Sequence, residues 1–231
     1  IVREEMEKVE GQEVLMPALI PKAPWETTKR WDAIDVLFKL KGAGDKEFAL
    51  GPTHEEVVTP LVQQYVKSYK DLPVSVYQIQ DKFRNEPRAK SGLLRGREFA
   101  MKDMYSFHTS LQELEVYYDR VKQQYLTVVS RCGLNAIVTE ASGGVFSKYS
   151  HEAQGAPPSG EDLIYQCDAW HWAVNREIAE VKNGDACPTC AKGSIHEIKA
   201  IEVGNIFKLS TRFADDFGFH VTLEDGSAGQ V

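Results

Sequence analysis

Polar and apolar side chains alternate along residues 74–86, and the alternation returns at Arg95, Arg97 and Phe99. Because successive side chains of a β-strand point to opposite faces of a sheet, the pattern predicts two strands. The turn residues at 87–92 predict that the strands form an antiparallel hairpin with an apolar back and a charged front. On the first strand the front would carry Gln78, Gln80, Lys82, Arg84 and Glu86, and the back would carry Tyr77, Ile79 and Phe83.

Similar patterns predict elements on the N-terminal side of this hairpin. Charged residues up to Val9 indicate a helix, and residues 12–20 have the pattern of a strand that Pro17 interrupts, which is typical of an edge strand. Phe38–Lys41 and Glu47–Leu50 alternate around a glycine-containing turn, which predicts a second hairpin.

Two helices are predicted from their start signals. Thr53, followed three residues later by Glu56, has the pattern of a capping box that opens a helix toward Lys70. Ser110 precedes an acid at the same spacing, and the apolar positions after it recur at helical intervals as far as about Arg131. That spacing is typical of a helix that packs one face on a core.

Composition narrows the class of protein. The chain has 231 residues, 42% of them hydrophobic, which is enough for a globular core with a small appendage. No apolar run approaches the roughly 18 residues that a membrane span needs. A net charge of −7 excludes a basic nucleic-acid surface over the whole molecule, so a contact with RNA would depend on a local cluster. That cluster comprises Arg84, Arg88, Lys90, Arg95 and Arg97.

The charged front of the first hairpin suits a nucleotide. Arginine guanidinium groups bind phosphate oxygens through paired hydrogen bonds, and an aromatic ring stacks on a base. The alternative is a solvated face of salt-bridged strands, which is common on hairpins. Arg84, Arg95 and Arg97 outnumber the nearby acids, and Phe99 stands among them, so we favour a site for a polyanion.

The cysteines offer a possible metal centre. Four cysteines in a chain of this size indicate a reducing compartment rather than a disulfide scaffold. Cys187 and Cys190 have the Cys-x-x-Cys spacing of a zinc knuckle, Cys167 precedes them by twenty residues, and His171 could supply a fourth ligand. A Cys₃His site for structural Zn²⁺ and a degenerate ribbon without metal both remain open.

Several segments resemble the active-site motifs of one enzyme family. Residues 83–88, 93–99 and 101–107 resemble motif 2 of the class II aminoacyl-tRNA synthetases, and in detail that of the bacterial or organellar prolyl-tRNA synthetases. Residues 51–56 resemble the proline-binding loop of these enzymes, and residues 201–207 resemble a later strand of their active site. Several long motifs in the right order are specific, whereas a single Arg-x-Glu would not be.

The resemblance extends from Glu4 to about Gly226 and implies an α+β fold. An antiparallel sheet flanked by helices would form the catalytic core, unlike a Rossmann fold. Residues 1–160 would carry motifs 1 and 2, residues 161–198 a small insertion with the Cys-x-x-Cys knuckle, and residues 199–231 the return to the core. Motif 3 and an anticodon-binding domain would follow the last residue.

The activity implied by the resemblance is that of a proline–tRNA ligase. Such an enzyme activates proline with ATP and Mg²⁺ to prolyl-adenylate and transfers the prolyl group to tRNA(Pro). Arg84 would be the catalytic residue, and Asn205 replaces the histidine that is usual in the family. By resemblance, proline would be bound by Thr53, Glu55, Arg84 and Phe207, and ATP by Arg84, Glu86, Arg95, Phe99, Glu202 and Asn205.

The resemblance also implies a homodimer formed through the N-terminal segment, located in the cytoplasm or alternatively in the mitochondrial matrix. The short interval between Glu152 and Glu202 leaves no room for an editing insertion, so hydrolysis of mischarged alanyl-tRNA is not expected. A non-catalytic paralogue that binds tRNA or a partner is the main alternative, and a zinc-ribbon interaction protein would leave the charged front unexplained. The paralogue is disfavoured because the chain retains Thr53, Glu55, Arg84, Arg95 and Phe99.

Overall fold

The computed structural model describes residues 1–89, 92–144 and 146–231, so Lys90 of the basic cluster lies outside the described residues. Within these ranges the α-helices are α1 (Val2–Glu7), α2 (Lys22–Thr27), α3 (Glu55–Tyr65), α4 (Leu111–Arg131) and α5 (Arg212–Phe217). The strands are β1 (Gln12–Glu13), β2 (Leu19–Pro21), β3 (Phe38–Lys41), β4 (Glu47–Leu50), β5 (Val74–Phe83), β6 (Glu98–Phe107), β7 (Ala136–Ser142), β8 (Tyr149–Gly155), β9 (Asp162–Cys167), β10 (Ala173–Asn175), β11 (Ile195–Phe207), β12 (His220–Thr222) and β13 (Ala228–Gln230).

These elements form two compact units, each assembled from separate stretches of the chain. The hairpin unit comprises Glu10–Leu114 and Ser210–Val231. The barrel unit comprises Ile1–Val9 and Glu115–Leu209. The division of the sequence at residues 160 and 198, which follows the motifs, stays a prediction.

The antiparallel hairpin predicted from the alternation is confirmed. β5 and β6 pair over ten consecutive positions, starting with Val74 opposite Phe107, and β1 pairs with β5 in parallel. β6 begins at Glu98 instead of near Arg95. The residues before it include Gly96, and glycine weakens a strand because it has no side chain to pack.

Two members of the predicted polar and charged front are covered by other segments of the chain. Gln78 and Lys82 are fully buried, at 0% exposure. Gln78 accepts a hydrogen bond from the backbone N–H of Met16 at 3.0 Å, and the Lys82 ammonium forms an ion pair with Asp103 at 2.8 Å. These partners offset the cost of burying polar groups. Alternation identifies the residues that share a face, but it does not show that another segment covers that face.

The capping box predicted at the start of α3 is wrong. The helix begins at Glu55 with His54 as its N-cap, and no side chain of the described residues caps it. The Thr53 hydroxyl instead donates its hydrogen bond to the Glu55 carboxylate, at 2.5 Å. The helix ends at Tyr65, five residues before the expected end near Lys70.

The long helix α4 agrees with its prediction. The N–H of Glu113 donates to the Ser110 hydroxyl at 3.2 Å, as in a capped helix, and the helix ends at Arg131. Tyr118 and Val121 are buried along one face, which confirms that the apolar positions pack on a core.

The second predicted hairpin is also confirmed, and it forms the middle of the hairpin unit. β4 pairs antiparallel with β3 and, on its other edge, with β2. Trp25 and Trp31 are buried together with Leu37 in the core beside this sheet. The helix α3 packs against α5, and β12 and β13 form a separate two-stranded sheet.

The barrel unit was not predicted in this form. Its strands close into a barrel in the order β10, β7, β8, β11, β9. All neighbouring pairs in the barrel are antiparallel except β10 with β7. The pairing of β11 with β8 shifts register between Glu202 and Gly204, which is a β-bulge within the segment predicted to face a ligand.

The α+β class is confirmed, since mainly antiparallel sheets are accompanied by helices. Among the described helices, none combines the length and apolar character required to cross a membrane.

Candidate functional site

The segment between β4 and α3 is attached to the end of β5. The N–H of Phe83 donates to the carbonyl of Gly51 at 3.2 Å, so the segment lies beside the strand position just before Arg84. Glycine is needed at position 51, because a Cβ there would lie 2.9 Å from Cε1 of His54. Thr53, predicted to bind proline, therefore lies on a segment bonded directly to the last residue of β5, which precedes the predicted catalytic residue Arg84.

Glu55 is a buried carboxylate with defined partners. The Thr53 hydroxyl donates to its Oε2 at 2.5 Å, and the Arg30 guanidinium donates to the same oxygen at 3.1 Å. Arg30 also donates to Glu56 at 2.8 Å, and the Thr28 hydroxyl donates to Glu56 at 2.8 Å. One guanidinium thus faces two carboxylates, which leaves one negative charge when both are ionised. Such a site is complementary to a substrate cation.

Burial raises the pKa of Glu56 to about 7, although the charge of Arg30 opposes the increase. Because this pKa lies above the unfolded value, the folded state binds more protons than the unfolded state between about pH 4.5 and pH 7. The contribution of Glu56 to stability is therefore fully present below the unfolded pKa and is lost as pH rises through about 7.

We expect Glu56→Gln to remove this pH dependence. The free energy of unfolding of the natural chain, relative to that of the variant, should fall by more than about 1 kcal/mol between pH 5 and pH 8. Urea titrations at both pH values measure it. The control is Glu7→Gln, which removes a carboxylate at an exposed position. A difference between the natural chain and Glu56→Gln that stays constant with pH would contradict the raised pKa of Glu56.

Arg84 and Phe99 lie together at the connected end of the β5–β6 hairpin. The guanidinium carbon of Arg84 is 5.3 Å from the centre of the Phe99 ring, and both side chains are half-buried. The N–H of Arg84 donates to the carbonyl of Arg97 at 2.9 Å, and Nε of Arg97 donates to the carbonyl of Glu86 at 2.9 Å. Arg95 is exposed on the segment between the strands. A guanidinium beside an aromatic ring is the combination required to bind phosphate and base.

The remaining predicted substrate-binding residues belong to β11 of the barrel unit. Asn205 pairs with Glu152 of β8, and its Nδ2 donates to Glu152 Oε1 at 3.5 Å. Burial raises the pKa of Glu152. Glu202 is exposed, whereas the ring of Phe207 packs against Phe146 with 4.9 Å between centroids. These residues are in a different compact unit from the hairpin residues, and their roles in substrate binding stay predictions.

Three cysteines of the barrel unit lie close together. The sulfur atoms of Cys167, Cys187 and Cys190 are within 4.8 Å of one another. Glycine is needed at position 193, because a Cβ on Gly193 would lie 2.5 Å from Cys167 Sγ. Within the described part of the chain, His171 is not a member of this group, and its side chain is exposed.

Backbone hydrogen bonds favour the thiolate form of one of these sulfurs. Cys190 Sγ accepts from the N–H of Gly193 at 3.4 Å, and Cys167 Sγ accepts from the N–H of Ala169 at 3.4 Å. Backbone bonds, led by the one from Lys192, lower the pKa of Cys190 to about 7, whereas burial raises the pKa of Cys167. Three convergent sulfurs with such N–H donors fit a thiophilic ion such as Zn²⁺.

Several buried polar residues of the hairpin unit were not identified from the sequence. His54 has the surroundings of an ordinary polar residue in the sequence but is completely buried in the structure. Its position between two predicted ligands, Thr53 and Glu55, is a signal that could have identified it. No comparable signal marks Arg30, because its acidic partners are 25 and 26 residues away along the chain.

Comparisons with known proteins agree with these features. Residues 38–231 match the family model of the tRNA synthetase class II core domain (G, H, P, S and T). The proline–tRNA ligase of Bacillus licheniformis is 47% identical over 208 residues, which cover 89% of this chain and 36% of that protein. The probable mitochondrial proline–tRNA ligase of Rattus norvegicus is 41% identical over 231 residues, which cover 99% of this chain and 48% of that protein.

Solved structures extend the likeness to the fold. The prolyl-tRNA synthetase of Giardia lamblia in complex with prolyl-adenylate has a TM-score of 0.76 at 18% identity and covers 98% of this chain and 40% of its own. The prolyl-tRNA synthetase of Cryptosporidium parvum complexed with L-proline and AMP has a TM-score of 0.72 at 16% identity. The match covers 99% of this chain and 39% of that protein chain. The chain thus spans less than half the length of these relatives. It belongs to the tRNA synthetase class II core domain family (G, H, P, S and T), and the proline–tRNA ligases among its relatives confirm the resemblance to the prolyl branch.

Proposed function

We propose that this chain carries catalytic residues of a proline–tRNA ligase, which converts proline and ATP to prolyl-adenylate and passes the prolyl group to tRNA(Pro). The observation that carries the proposal is the bond between Phe83 and Gly51, which joins the segment leading to the Glu55 carboxylate to the end of β5, one residue before Arg84. The names of the two relatives described above, both proline–tRNA ligases, support the choice of amino acid.

Each predicted substrate-binding residue of the hairpin unit has a proposed role in this reaction. The carboxylate of Glu55, with the Thr53 hydroxyl, accepts the secondary ammonium of proline. Arg84 neutralises the proline carboxylate and the α-phosphate as they approach, and Phe99 stacks on adenine. Arg95 binds the terminal phosphates. Glu86 faces the nucleotide.

No covalent enzyme intermediate is required. A carboxylate oxygen of proline attacks the α-phosphorus in line, the bond to the β-phosphate oxygen breaks, and pyrophosphate leaves with the electron pair. A ribose hydroxyl at the tRNA 3′ end then attacks the prolyl carbonyl, and AMP leaves. Catalysis therefore consists of positioning and charge stabilisation by the protein. ATP binds together with Mg²⁺, and Glu202 is the carboxylate proposed to hold this ion. The binding of ATP by Asn205 and that of proline by Phe207 stay predictions.

Proline-dependent exchange of pyrophosphate into ATP tests the proposal. The assay uses the longest natural protein that contains this chain. Exchange should occur with proline and not with glycine, histidine, serine or threonine, the other amino acids of the family. Exchange with one of those amino acids would contradict the proposal. Binding of tRNA without any exchange would instead support the non-catalytic paralogue.

The partners follow from the same proposal. Transfer of [¹⁴C]proline to tRNA(Pro) tests the second step. Assembly as a homodimer through the N-terminal segment is measured by light scattering after size-exclusion chromatography. The cytoplasm is the proposed location, with the mitochondrial matrix as the alternative, and imaging of the tagged natural protein distinguishes them.

We also propose a structural Zn²⁺ bound by Cys167, Cys187 and Cys190, with His171 as the candidate for the fourth ligand. Mass spectrometry of the purified protein should find one zinc per chain, and Cys187→Ser should lose most of it. The control is Cys132→Ser, at an exposed cysteine, which should keep its zinc. Loss of zinc in His171→Ala would assign the fourth ligand. A zinc-free natural protein after growth with added zinc would overturn the site.

A further inference from the structure

A closed ring of polar contacts lies beneath the segment that carries Thr53 and Glu55. The Lys82 ammonium is 2.5 Å from Nδ1 of His54 and 2.8 Å from the Asp103 carboxylate. The Tyr105 hydroxyl donates to Asp103 at 2.8 Å and accepts from the backbone N–H of His54 at 2.7 Å. The ring therefore joins the side chain of His54 to its own backbone through residues of β5 and β6. All four members are buried.

The chemistry of these contacts fixes the form of the imidazole. Burial lowers the pKa of Lys82, but the charge of Asp103, which forms an ion pair with the ammonium, opposes this decrease. An ammonium group can only donate hydrogen bonds, so in this ion-paired state Nδ1 of His54 accepts from Lys82. The proton of the neutral ring then resides on Nε2, which donates to the carbonyl of Pro17 at 3.0 Å. Burial, and then the charge of Lys82, lower the pKa of His54, which agrees with a neutral ring. The imidazole of His54 is thus held from both sides, by Lys82 of β5 and by the carbonyl of Pro17 before β2.

The position of Lys82 gives the closed ring of polar contacts a role beyond packing. Lys82 is two residues before Arg84 on the same chain, and His54 is the residue between Thr53 and Glu55. One contact, from the Lys82 ammonium to the His54 imidazole, therefore connects the proposed amino-acid pocket to the segment that carries the proposed phosphate ligand. A buried ammonium is a costly way to fill space, since a methionine of similar length would pack without desolvating a charge.

We propose that His54, Lys82 and Asp103 are positioning residues that hold the Thr53–Glu55 segment in the geometry that binds the proline ammonium. This inference rests on the proposed ligase function and concerns the affinity for proline, not that for ATP. None of the three touches the reacting atoms; they act through the placement of Glu55.

Three substitutions separate positioning from simple stabilisation. Lys82→Met removes the ammonium. His54→Gln can keep the donor to Pro17, because its amide reaches the place of Nε2, but it lacks an acceptor at the place of Nδ1. His54→Asn has the opposite property, since its Oδ1 coincides with Nδ1 and can accept from Lys82. The control, Lys39→Met, breaks the exposed ion pair of Lys39 with Asp32, at 2.7 Å, by the same chemical change.

The assay is proline-dependent pyrophosphate exchange in the longest natural protein that contains the chain, with KM measured for proline and for ATP. We expect Lys82→Met and His54→Gln to raise KM for proline on the order of tenfold or more, with KM for ATP changed less than about threefold. His54→Asn should stay closer to the natural protein than His54→Gln, and Lys39→Met should not differ from it. Thermal unfolding of each variant is measured in parallel.

The two KM values and the unfolding temperature together distinguish positioning from stabilisation. If Lys82→Met does not fold, the two His54 variants still decide, because they leave the Lys82–Asp103 pair intact. Unchanged KM for proline in folded variants, or an equal increase in both KM values, would overturn the positioning role while the ligase function stands. A lower unfolding temperature with both KM values unchanged would likewise reduce the network to a stabilising one. A natural protein without proline-dependent exchange would overturn both proposals.

Discussion

Arg84→Ala is expected to lower proline-dependent exchange by at least about 10²-fold, because a preorganised donor to a developing charge contributes this much in comparable sites. The guanidinium is held beside the Phe99 ring at 5.3 Å, and its backbone is paired with Arg97, so it is fixed before substrate binds. Removing it leaves the proline carboxylate and the α-phosphate, both negative, to approach each other without a neutralising charge. Initial rates at saturating proline and ATP measure the loss.

Two further variants refine the result for Arg84. Arg84→Lys keeps the charge but not the planar fork, and we expect it to recover a small part of the activity. Arg88→Ala, at an exposed position four residues on, is the control for loss of positive charge in this segment and should retain most of the exchange activity. Activity of Arg84→Ala within a few-fold of the natural protein would refute its catalytic role.

Glu55→Gln is expected to raise KM for proline on the order of 10²-fold, because the substrate ammonium loses its counter-charge inside a buried site. The fold should survive this change. Arg30 keeps its bonds to Glu56 at 2.8 and 3.1 Å, so the buried guanidinium is not left unpaired. Glutamine also preserves an oxygen that can accept from the Thr53 hydroxyl.

The measurement for Glu55→Gln is the pair of KM values for proline and ATP, together with the unfolding temperature. A selective increase for proline identifies Glu55 as the ammonium acceptor. Thr53→Val, which removes the hydroxyl at nearly constant volume, should also raise KM for proline, but by less than Glu55→Gln. The reason is that a neutral hydrogen bond contributes less than a charged one. An unchanged KM for proline in a folded Glu55→Gln variant would exclude the assignment.

The sequence predicted the hairpins of the hairpin unit well because their determinants are local. Alternation over ten residues identifies β5, and it also groups Arg84 with Lys82 on one face. It could not show that Lys82 is buried, because its buried partners, Asp103 and His54, are distant in sequence. The same limit applies to Arg30, whose partners on α3 are brought to it by the fold.

The barrel unit was less predictable for a related reason. Its closure depends on β10 pairing with both β7 and β9, and β10 has three residues, too few for a periodic pattern. The cysteines are different, because the Cys-x-x-Cys spacing itself brings Cys187 near Cys190. The arrival of Cys167 beside them was predicted, whereas His171 lies outside the group in the described structure. The spacing of residues along the sequence constrains metal ligands that are close together in the chain. Whether a ligand from a distant position joins them depends on the fold.

The unbroken pairing of β5 with β6 has a consequence for how this region can change in evolution. Ten consecutive pairs without a bulge mean that one residue inserted in β6 between Glu98 and Asp103, with the first pairs kept, would move Asp103 to the opposite side of the sheet, away from Lys82. The connection enclosed by the backbone bond between Arg84 and Arg97 can change in length at less cost, since lengthening a connection costs only about 0.6 kcal/mol for each doubling. Homologues should therefore vary in length between the two strands and conserve the length of the strands themselves.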